Sequence, residues 1–435
     1  MKALAVPEIP IHRYELACGV RLMVSPRPSA PVCAVQAHVR GGHSLDGPGR
    51  QGTASLAGRF VEQGTKDFSE EEIANVLEPA GGSLVGGSTG ISAQIAGSEW
   101  KTLLELVGSC LVAPTYPADK IAREKQRVLD RLAVEKDDPR SQGTWLFRKL
   151  VYGSHWMGRP DYGSLESVRS IERSHVVRHH AANWCGARTV IAVCGDVDPA
   201  KVKQVLGRAL ARYPRGKPLP AANRDFPQPK ARTGVFPAKR QQVHVFLGHI
   251  GIERRDPDYA ALAVMDHVLG TGPGFTSRIT RILREELGLA YSVNAAIHTT
   301  AGVMPGVFTA YIGTSPENLG TAVTRFQEEI RRIRTELVSK AELELVKSYL
   351  TGSFVLGFDR ASRRVQSMIS AHRNELPDDH MQLLIESFAS VTATGVRDAA
   401  RRHLRPDEAC LVAAGPVTRR ELRELSDRVV SRRGR

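Results

Sequence analysis

The segment RHHAANWCGARTVIAVCGDVDPAKVKQVL, residues 178–206, and the segment RDAARRHLRPDEACLVAAGPVTRRELREL, residues 397–425, follow one design. Each begins with the basic end of a helix, continues through a short loop into an apolar strand, and turns at a glycine into a second helix. Because this design recurs in the second half of the chain, the sequence indicates two copies of one folding unit.

The entries to the two copies match as well. PVCAVQAHVRGG (31–42) and QQVHVFLGHIGI (241–252) are alternating strands. They lead into the helical stretches GRQGTASLAGRF (49–60) and DPDYAALAVMDHVLG (256–270). We therefore predict an α+β fold of two homologous domains, each a mostly antiparallel sheet with helices packed on it, which together enclose a chamber.

The stretch between the copies, PRGKPLPAANRDFPQPKARTG, is rich in proline, glycine and charge. This composition is typical of an exposed interdomain linker. We place the N-terminal domain at 1–213, the linker at 214–234 and the C-terminal domain at 235–435. A chain of 435 residues leaves each domain enough length for a core of its own.

Each half also contains a long helical pattern. In PADKIAREKQRVLDRLAVEKDDP (117–139) apolar residues recur at helical spacing, and we expect Pro139 to stop the helix. In SPENLGTAVTRFQEEIRRIRTEL (315–337), Ser315 is the expected cap and Pro316 suits the first turn.

Composition and charge exclude several classes of protein. Hydrophobic residues make up 42% and charged residues 24%, as in globular proteins, and no apolar run reaches the ~18 residues of a membrane span. The net charge of +14 is dispersed, without the basic blocks and interleaved aromatics of nucleic-acid binders. We therefore expect neither nucleic acid nor membrane as a partner; an acidic peptide or partner chain suits the charge better.

The N-terminal residues lack the pattern of a secretory signal, so we expect a cytoplasmic protein; a periplasmic location would require a signal peptide before this numbering. The six cysteines contain no C-x-x-C pair and no zinc-finger spacing. Cys33 and Cys194 lie in apolar strand-like runs, which indicates buried free thiols and a reducing compartment.

Six segments of the sequence carry a resemblance to a known family: VRGGHSLDGPGRQGTASLAGRFVEQGT (39–65), EPAGGSLVGG (78–87), EKQRVLDRLAVEKDDP (124–139), VIAVCGDV (190–197), REELGLAYS (284–292) and YIGTSPEN (311–318). Together they resemble the insulinase/pitrilysin-type zinc peptidases, or inverzincins, and in particular bacterial two-domain members related to the mitochondrial processing peptidase. In active members the first segment contains H-x-x-E-H on a helix, whose two histidines bind zinc and whose glutamate is the general base. A glutamate on a later helix completes three protein ligands and leaves a fourth position open.

This chain has lost that motif. When the sequences are matched on Gly64-Thr65, Ser55 stands at the first histidine, Gly58 at the glutamate and Arg59 at the second histidine. Active members also usually carry asparagine after the double glycine of GGSL, where this chain has Val85. The resemblance therefore implies that the first helix no longer carries catalytic chemistry.

On the later helix Arg131 stands at the ligand glutamate, and Glu124 matches another acidic residue of active members. All three ligand positions and the base are replaced, two of them by cations, so we expect no metal in this chain. If Arg131 projects to the same point as Arg59, the two guanidinium groups would hold either Glu124 or an anion from solvent. A plain solvated surface is the alternative.

The second half keeps the residues that the family uses toward substrate. ILREELGLAYSV (282–293) contains Arg284 and Tyr291 on either side of a Gly-Leu-Ala turn. In the family this Arg/Tyr pair projects into the chamber and helps to hold the peptide and its reacting carbonyl near a zinc carried by another domain. Arginine offers a planar fork of donors, and tyrosine offers an O–H where negative charge develops on the scissile carbonyl. The alternative is a surface arginine and a half-buried strand tyrosine.

The resemblance implies a non-catalytic, substrate-binding subunit of a heterodimeric zinc metallopeptidase. A homologous chain containing H-x-x-E-H would supply the zinc, and this chain, with no cofactor of its own, would supply Arg284 and Tyr291 to the peptide substrate. The sequence leaves open whether the chain forms a homodimer when its partner is absent. The competing hypotheses are a structural or assembly scaffold of the same fold, as in the inactive core subunits of respiratory complexes, and a self-sufficient peptidase with another metal arrangement.

Overall fold

The computed structural model describes residues 10–28, 30–228, 230–274, 276–290, 292–357, 360–377 and 379–431. Its strands form two sheets. The first sheet contains β1 (His12–Glu15), β2 (Arg21–Pro26), β3 (Val32–Val39), β4 (Ser83–Gly87), β5 (Gly90–Ala96) and β6 (Thr189–Gly195). The second contains β7 (Arg232–Pro237), β8 (Val243–Ile250), β9 (Val293–Ala296), β10 (Val307–Thr314) and β11 (Cys410–Gly415).

The two sheets share one topology. The spatial order is β1-β2-β6-β3-β5-β4 in the first and β7-β11-β8-β10-β9 in the second, so β2 to β6 correspond to β7 to β11 in the same order, with β1 added. The pairs β2/β6 and β7/β11 are parallel, and the other pairs are antiparallel. This confirms the predicted α+β fold built from two copies of one mostly antiparallel unit.

The helices follow the same repeat. In the first half they are α1 (Thr53–Arg59), α2 (Glu70–Leu77), α3 (Trp100–Val112), α4 (Ala118–Glu135), α5 (Pro139–Tyr152), α6 (Leu165–Ser170), α7 (Arg173–Asn183) and α8 (Pro199–Ala209). In the second half they are α9 (Tyr259–Asp266), α10 (Arg278–Thr280), α11 (Leu319–Thr335), α12 (Lys340–Gly357), α13 (Ala361–Arg373), α14 (His380–Ser390), α15 (Ala393–His403) and α16 (Arg419–Ser431). Within the described ranges, no helix is long and apolar enough to cross a membrane.

Two sequence predictions about helix ends are wrong in detail. The helix predicted over 117–139 is α4, which ends at Glu135, and Pro139 begins α5 rather than stopping α4. Asp138 caps α5 by accepting the backbone N–H of Ser141 at 2.8 Å, and proline suits the first helical position because that position needs no N–H donor. Ser315 does not cap the second long helix, since its side chain accepts no backbone N–H there.

Each sheet is covered on one face by a helix from the other half. Helix α5 lies on the second sheet, where the ring of Phe147 stacks on that of Phe246 with centroids 6.1 Å apart. Helix α13 lies on the first sheet, where Val365 and Met368 pack in one cluster with Cys194. Since each half contributes a helix to the core of the other, neither half buries its own sheet alone.

This exchange of helices predicts how the protein responds to cleavage between the halves. Residues 214–231 contain no helix or strand in the part that the structure describes, and β7 begins at Arg232, inside the predicted linker. We expect a protease that nicks the chain near Lys217 to leave two fragments that co-elute on size-exclusion chromatography. We expect them to separate only in denaturant. Two fragments that elute separately and remain folded in native buffer would contradict this.

Candidate functional site

The candidate site in the first half is built on α1. The helix starts after Gly52, whose φ of 100° is left-handed and suits glycine. The carboxylate of Asp46 accepts the backbone N–H groups of Gly52 and Ala54, both at 2.8 Å, and so satisfies donors that the first turn leaves unpaired. Burial raises the pKa of Asp46 to about 6. These contacts fix the position of the short helix whose later residues stand at the motif positions.

At Gly58 the backbone of α1 lies directly against β4. A Cβ on Gly58 would lie 2.0 Å from the carbonyl oxygen of Gly87, and a Cβ on Gly86 would lie 2.0 Å from the carbonyl oxygen of Gly58. The contact is reinforced because Glu62 accepts the backbone N–H of Gly86 at 3.0 Å. In this arrangement no side chain fits at the position that holds the general base in H-x-x-E-H.

Arg59 and Glu124 meet in the structure. Nη1 of Arg59 donates to Oε1 of Glu124 at 3.4 Å, and Arg127 donates to the other carboxylate oxygen at 3.5 Å. The Glu124 side chain is 13% exposed, whereas that of Arg59 is 40% exposed. Arg59, which stands at the position of the second histidine ligand, therefore neutralises the largely buried carboxylate of Glu124.

Arg131 has different partners. It pairs with Glu135 at 3.5 Å and lies 4.5 Å from the centre of the Tyr162 ring, a cation–π distance. Tyr162 donates its hydroxyl to Glu135 at 2.7 Å, and burial together with this carboxylate raises the pKa of Tyr162 to about 12. The hypothesis that Arg59 and Arg131 jointly hold Glu124 is therefore wrong, because the two guanidinium groups bind different carboxylates.

The residues at the former ligand positions do not fit zinc. They offer the hydroxyl of half-buried Ser55 and two guanidinium groups engaged in ion pairs, whereas zinc takes thiolate, imidazole or carboxylate ligands. In the described ranges, one group of His, Asp and Glu has ligand atoms close enough for a metal: Asp256, Asp258 and His403. There Asp258 already accepts two hydrogen bonds from Arg402 at 2.7 Å and contacts His403 at 2.8 Å.

We expect the purified chain to hold no stoichiometric zinc. The physical reason is that the cations at positions 59 and 131 repel a divalent ion and provide no lone pair for it. Elemental analysis after dialysis against metal-free buffer measures this, with a relative that contains H-x-x-E-H purified in parallel as the positive control. One zinc per chain that resists dialysis would contradict the prediction.

The candidate site in the second half surrounds Arg284. This half-buried residue lies on a π-helical turn, Arg281–Glu286, which continues α10, and such turns are frequent at functional sites. After the turn, Leu289 donates its backbone N–H to the carbonyl of Leu283 at 2.8 Å, and its own carbonyl accepts the hydroxyl of Thr314 at 2.7 Å. Tyr291 lies outside the described residues.

Sequence reasoning missed two polar pairs in the second half. Asp266 is fully buried and lies 2.5 Å from the ring Nδ1 of His298. Arg278 makes two hydrogen bonds to Glu342, at 2.8 and 3.0 Å. The partners are 32 and 64 residues apart in sequence, so no local motif joins them.

Comparison with known proteins shows which family the chain resembles. The model of the family described as Peptidase M16 inactive domain matches residues 170–350. An uncharacterized zinc protease of Streptomyces coelicolor is 25% identical over 436 residues, which cover 96% of this chain and 92% of that protein. Another, from Mycobacterium tuberculosis, is 27% identical over 402 residues and covers 90% of each. The chain is similar to M16 peptidases over nearly its whole length. The zinc-peptidase resemblance found in the sequence is thereby confirmed.

Solved structures show the same fold as this chain. The peptidase M16 inactive domain from Pseudomonas fluorescens matches with a TM-score of 0.87 and 24% identity over 94% of this chain and 98% of that one. A protease from Helicobacter pylori matches with a TM-score of 0.86 and 17% identity over 94% and 100%. A chain of complex III2 from Candida albicans matches with a TM-score of 0.80 and 14% identity over 97% and 100%.

Proposed function

We propose that this chain is a non-catalytic, substrate-binding subunit of a two-chain zinc peptidase. The observation that carries the proposal is the backbone contact between Gly58 and β4, because it leaves no room for a general base at the motif position. Without that base and without zinc ligands, the chain has no group at this site that activates water. Hydrolysis therefore depends on a second chain that supplies the zinc and H-x-x-E-H.

The role that remains for this chain is to bind the peptide. Arg284 lies on a defined turn whose far end is held by the Leu289 contacts to β10 and to the turn itself. A guanidinium group on such a turn would donate to the carbonyl or carboxylate of a bound peptide. The hydroxyl of Tyr291, which follows this turn in sequence, would add a donor where negative charge develops on the scissile carbonyl.

A scaffold without a peptidase role is the second candidate. The chain of complex III2 from Candida albicans, whose fold covers 97% of this chain, is the observation that favours it. Because that chain is only 14% identical to this one, the match shows a shared fold and not a shared role. It does show that the fold occurs in complex III2. The two candidates differ in whether adding this chain changes hydrolysis.

Reconstitution tests the proposal. This chain and an M16 chain containing H-x-x-E-H from the same organism are purified separately, and a quenched fluorescent peptide library is offered to each chain and to the mixture. We expect hydrolysis from the mixture and none from either chain alone, and no hydrolysis when the glutamate of the partner's motif is replaced by glutamine. A partner that is fully active alone and unaffected by this chain would overturn the proposal. A stable complex without a change in rate would favour the scaffold.

A further inference from the structure

An ion pair between buried Arg278 and partly exposed Glu342 ties the segment that carries Arg284 to the start of α12. Nε and Nη2 of Arg278 donate to the two carboxylate oxygens of Glu342 at 2.8 and 3.0 Å, a fork-to-fork geometry. The Arg278 side chain is 7% exposed and that of Glu342 is 31% exposed. Glu342 also accepts the backbone N–H of Ser339 at 2.9 Å, so the same carboxylate caps the first turn of α12.

The first half contains the corresponding pair with its charges exchanged. Arg278 follows Ser277 at the start of α10, and Glu70 follows Ser69 at the start of α2. Glu342 is the third residue of α12 and Lys120 is the third residue of α4; both helices have 18 residues. Lys120 donates to Glu70, as Arg278 donates to Glu342. In both halves an ion pair therefore joins the starts of these two helices. The helix that carries the positive partner in one half carries the negative partner in the other.

We propose that the Arg278–Glu342 pair is a positioning joint that sets where Arg284 stands relative to the bound peptide. The inference rests on the proposed function, because it assigns the joint to the same substrate-binding turn. Arg278 itself is buried against α12, so it acts through the turn and is not a catalytic residue.

The chain between the joint and Arg284 is helical throughout. Residues 278–280 continue without a break into the π-helical turn, with the backbone N–H of Arg281 donating to the carbonyl of Ser277 at 2.9 Å. A displacement at Arg278 therefore moves Arg284, six residues later, as part of one element. Misplacement of a positioning group by about 1 Å can lower an enzymatic rate by about 10².

The ion pair of the second half is less exposed to solvent than that of the first half. Lys120 and Glu70 have side-chain exposures of 19% and 50%, against 7% and 31% for Arg278 and Glu342. The hydrogen bonds from Arg278 also lower the pKa of Glu342 to about 2. The firmer joint belongs to the half that keeps the Arg/Tyr segment, and the looser one belongs to the half that has lost its chemistry.

Hydrogen exchange of the full chain tests the positioning without any need for activity. Glu342→Gln keeps the size of the side chain and removes its charge, and we expect faster amide exchange in residues 281–290 than in the unmodified protein. Lys120→Met is the matched control, which should accelerate exchange in α2 and leave 281–290 unchanged. Unchanged exchange in 281–290 for Glu342→Gln would overturn the proposal, whatever the outcome of the reconstitution.

Kinetics of the reconstituted pair then test whether the joint acts through Arg284. We expect Glu342→Gln and Arg278→Lys each to lower kcat by about tenfold, and neither to lower it further when Arg284→Ala is already present. The double variant Arg278→Glu with Glu342→Lys copies the polarity of the first-half pair and should recover part of the lost rate, although a lysine at position 342 cannot accept the backbone N–H of Ser339. Equal fractional losses with and without Arg284 would show that the joint acts on stability alone and would overturn the proposal. A wild-type mixture without hydrolysis would instead overturn the proposed function, and the exchange experiment would still decide the joint.

Discussion

Gly58→Ala is expected to destabilise the protein by about 3 kcal/mol or more, at the upper end of overpacking substitutions. The added methyl group would lie 2.0 Å from the carbonyl oxygen of Gly87 and 2.1 Å from its carbonyl carbon, and both are backbone atoms that no rotamer change can move. Either α1 lifts from the sheet or β4 shifts, and each breaks the contacts that Glu62 and Val61 make there. The shift of the denaturation midpoint in urea measures the loss.

Gly207→Ala is the matched control. Gly207 lies within α8 of the same half, and a Cβ there would meet no heavy atom within 4 Å. The substitution should stabilise the protein by about 0.5–1 kcal/mol, because alanine favours helix where glycine does not. If Gly58→Ala were as stable as the unmodified protein, α1 would have to be free to move off β4, and the argument that no side chain fits there would fail.

Because of the same contact, we expect that no single reversion at the motif positions would give a peptidase. Gly58→Glu would place a larger side chain on the same Cβ, so the base would return only if the helix moved away from the strand. The close approach involves Gly86 and Gly87 as well, and a chain with glutamate on α1 could not pack at this distance. On the proposed function, the absence of a general base follows from the packing between α1 and β4 as well as from the identities of Ser55 and Arg59.

The repeat was predictable from the sequence because two weak patterns support each other. Segments 178–206 and 397–425 each indicate helix, strand and helix, and the structure places them at α7-β6-α8 and α15-β11-α16. The exchange of α5 and α13 between the halves was not predictable in this way. An apolar stripe such as that of Phe147 and Val151 shows that a helix is buried but does not show which of two similar sheets it covers.

In the candidate site, too, the sequence predicts some features and only the three-dimensional packing shows the others. Ser55, Gly58 and Arg59 could be assigned to the motif positions from the sequence alone, because that assignment requires only a match of residues along the chain. The partner of Arg131 depends on which of several carboxylates lies nearest in three dimensions. Glu135, one turn further along α4, and the ring of Tyr162 provide the nearer partners. The steric reason for glycine at position 58 likewise appears only when β4 is placed against α1.

Arg284→Ala and Tyr291→Phe are expected to lower kcat of the reconstituted peptidase by about 10² to 10³ without disturbing assembly. On the proposed function, each change removes one donor to the scissile carbonyl, and loss of one such donor typically lowers kcat by this much. The measurement is steady-state hydrolysis of one peptide by the mixture, with size-exclusion chromatography to show that each variant still forms the complex. A rise in KM with kcat unchanged would mean that the residue binds the peptide equally in the ground state and the transition state.

Arg281→Ala provides the control on the same turn. Arg281 is exposed and pairs with exposed Glu286 at 3.5 Å, so its removal changes the charge of the segment by the same amount as Arg284→Ala. A surface ion pair of this kind contributes at most about 1 kcal/mol, and we expect the rate to stay within about twofold of the unmodified complex. If Arg281→Ala and Arg284→Ala lowered the rate equally, the effect would come from the net charge of the turn rather than from a directed donor. If neither Arg284→Ala nor Tyr291→Phe lowered the rate, the proposed substrate-binding role of this pair would be wrong. A scaffold without a peptidase role would then be the better hypothesis for this chain.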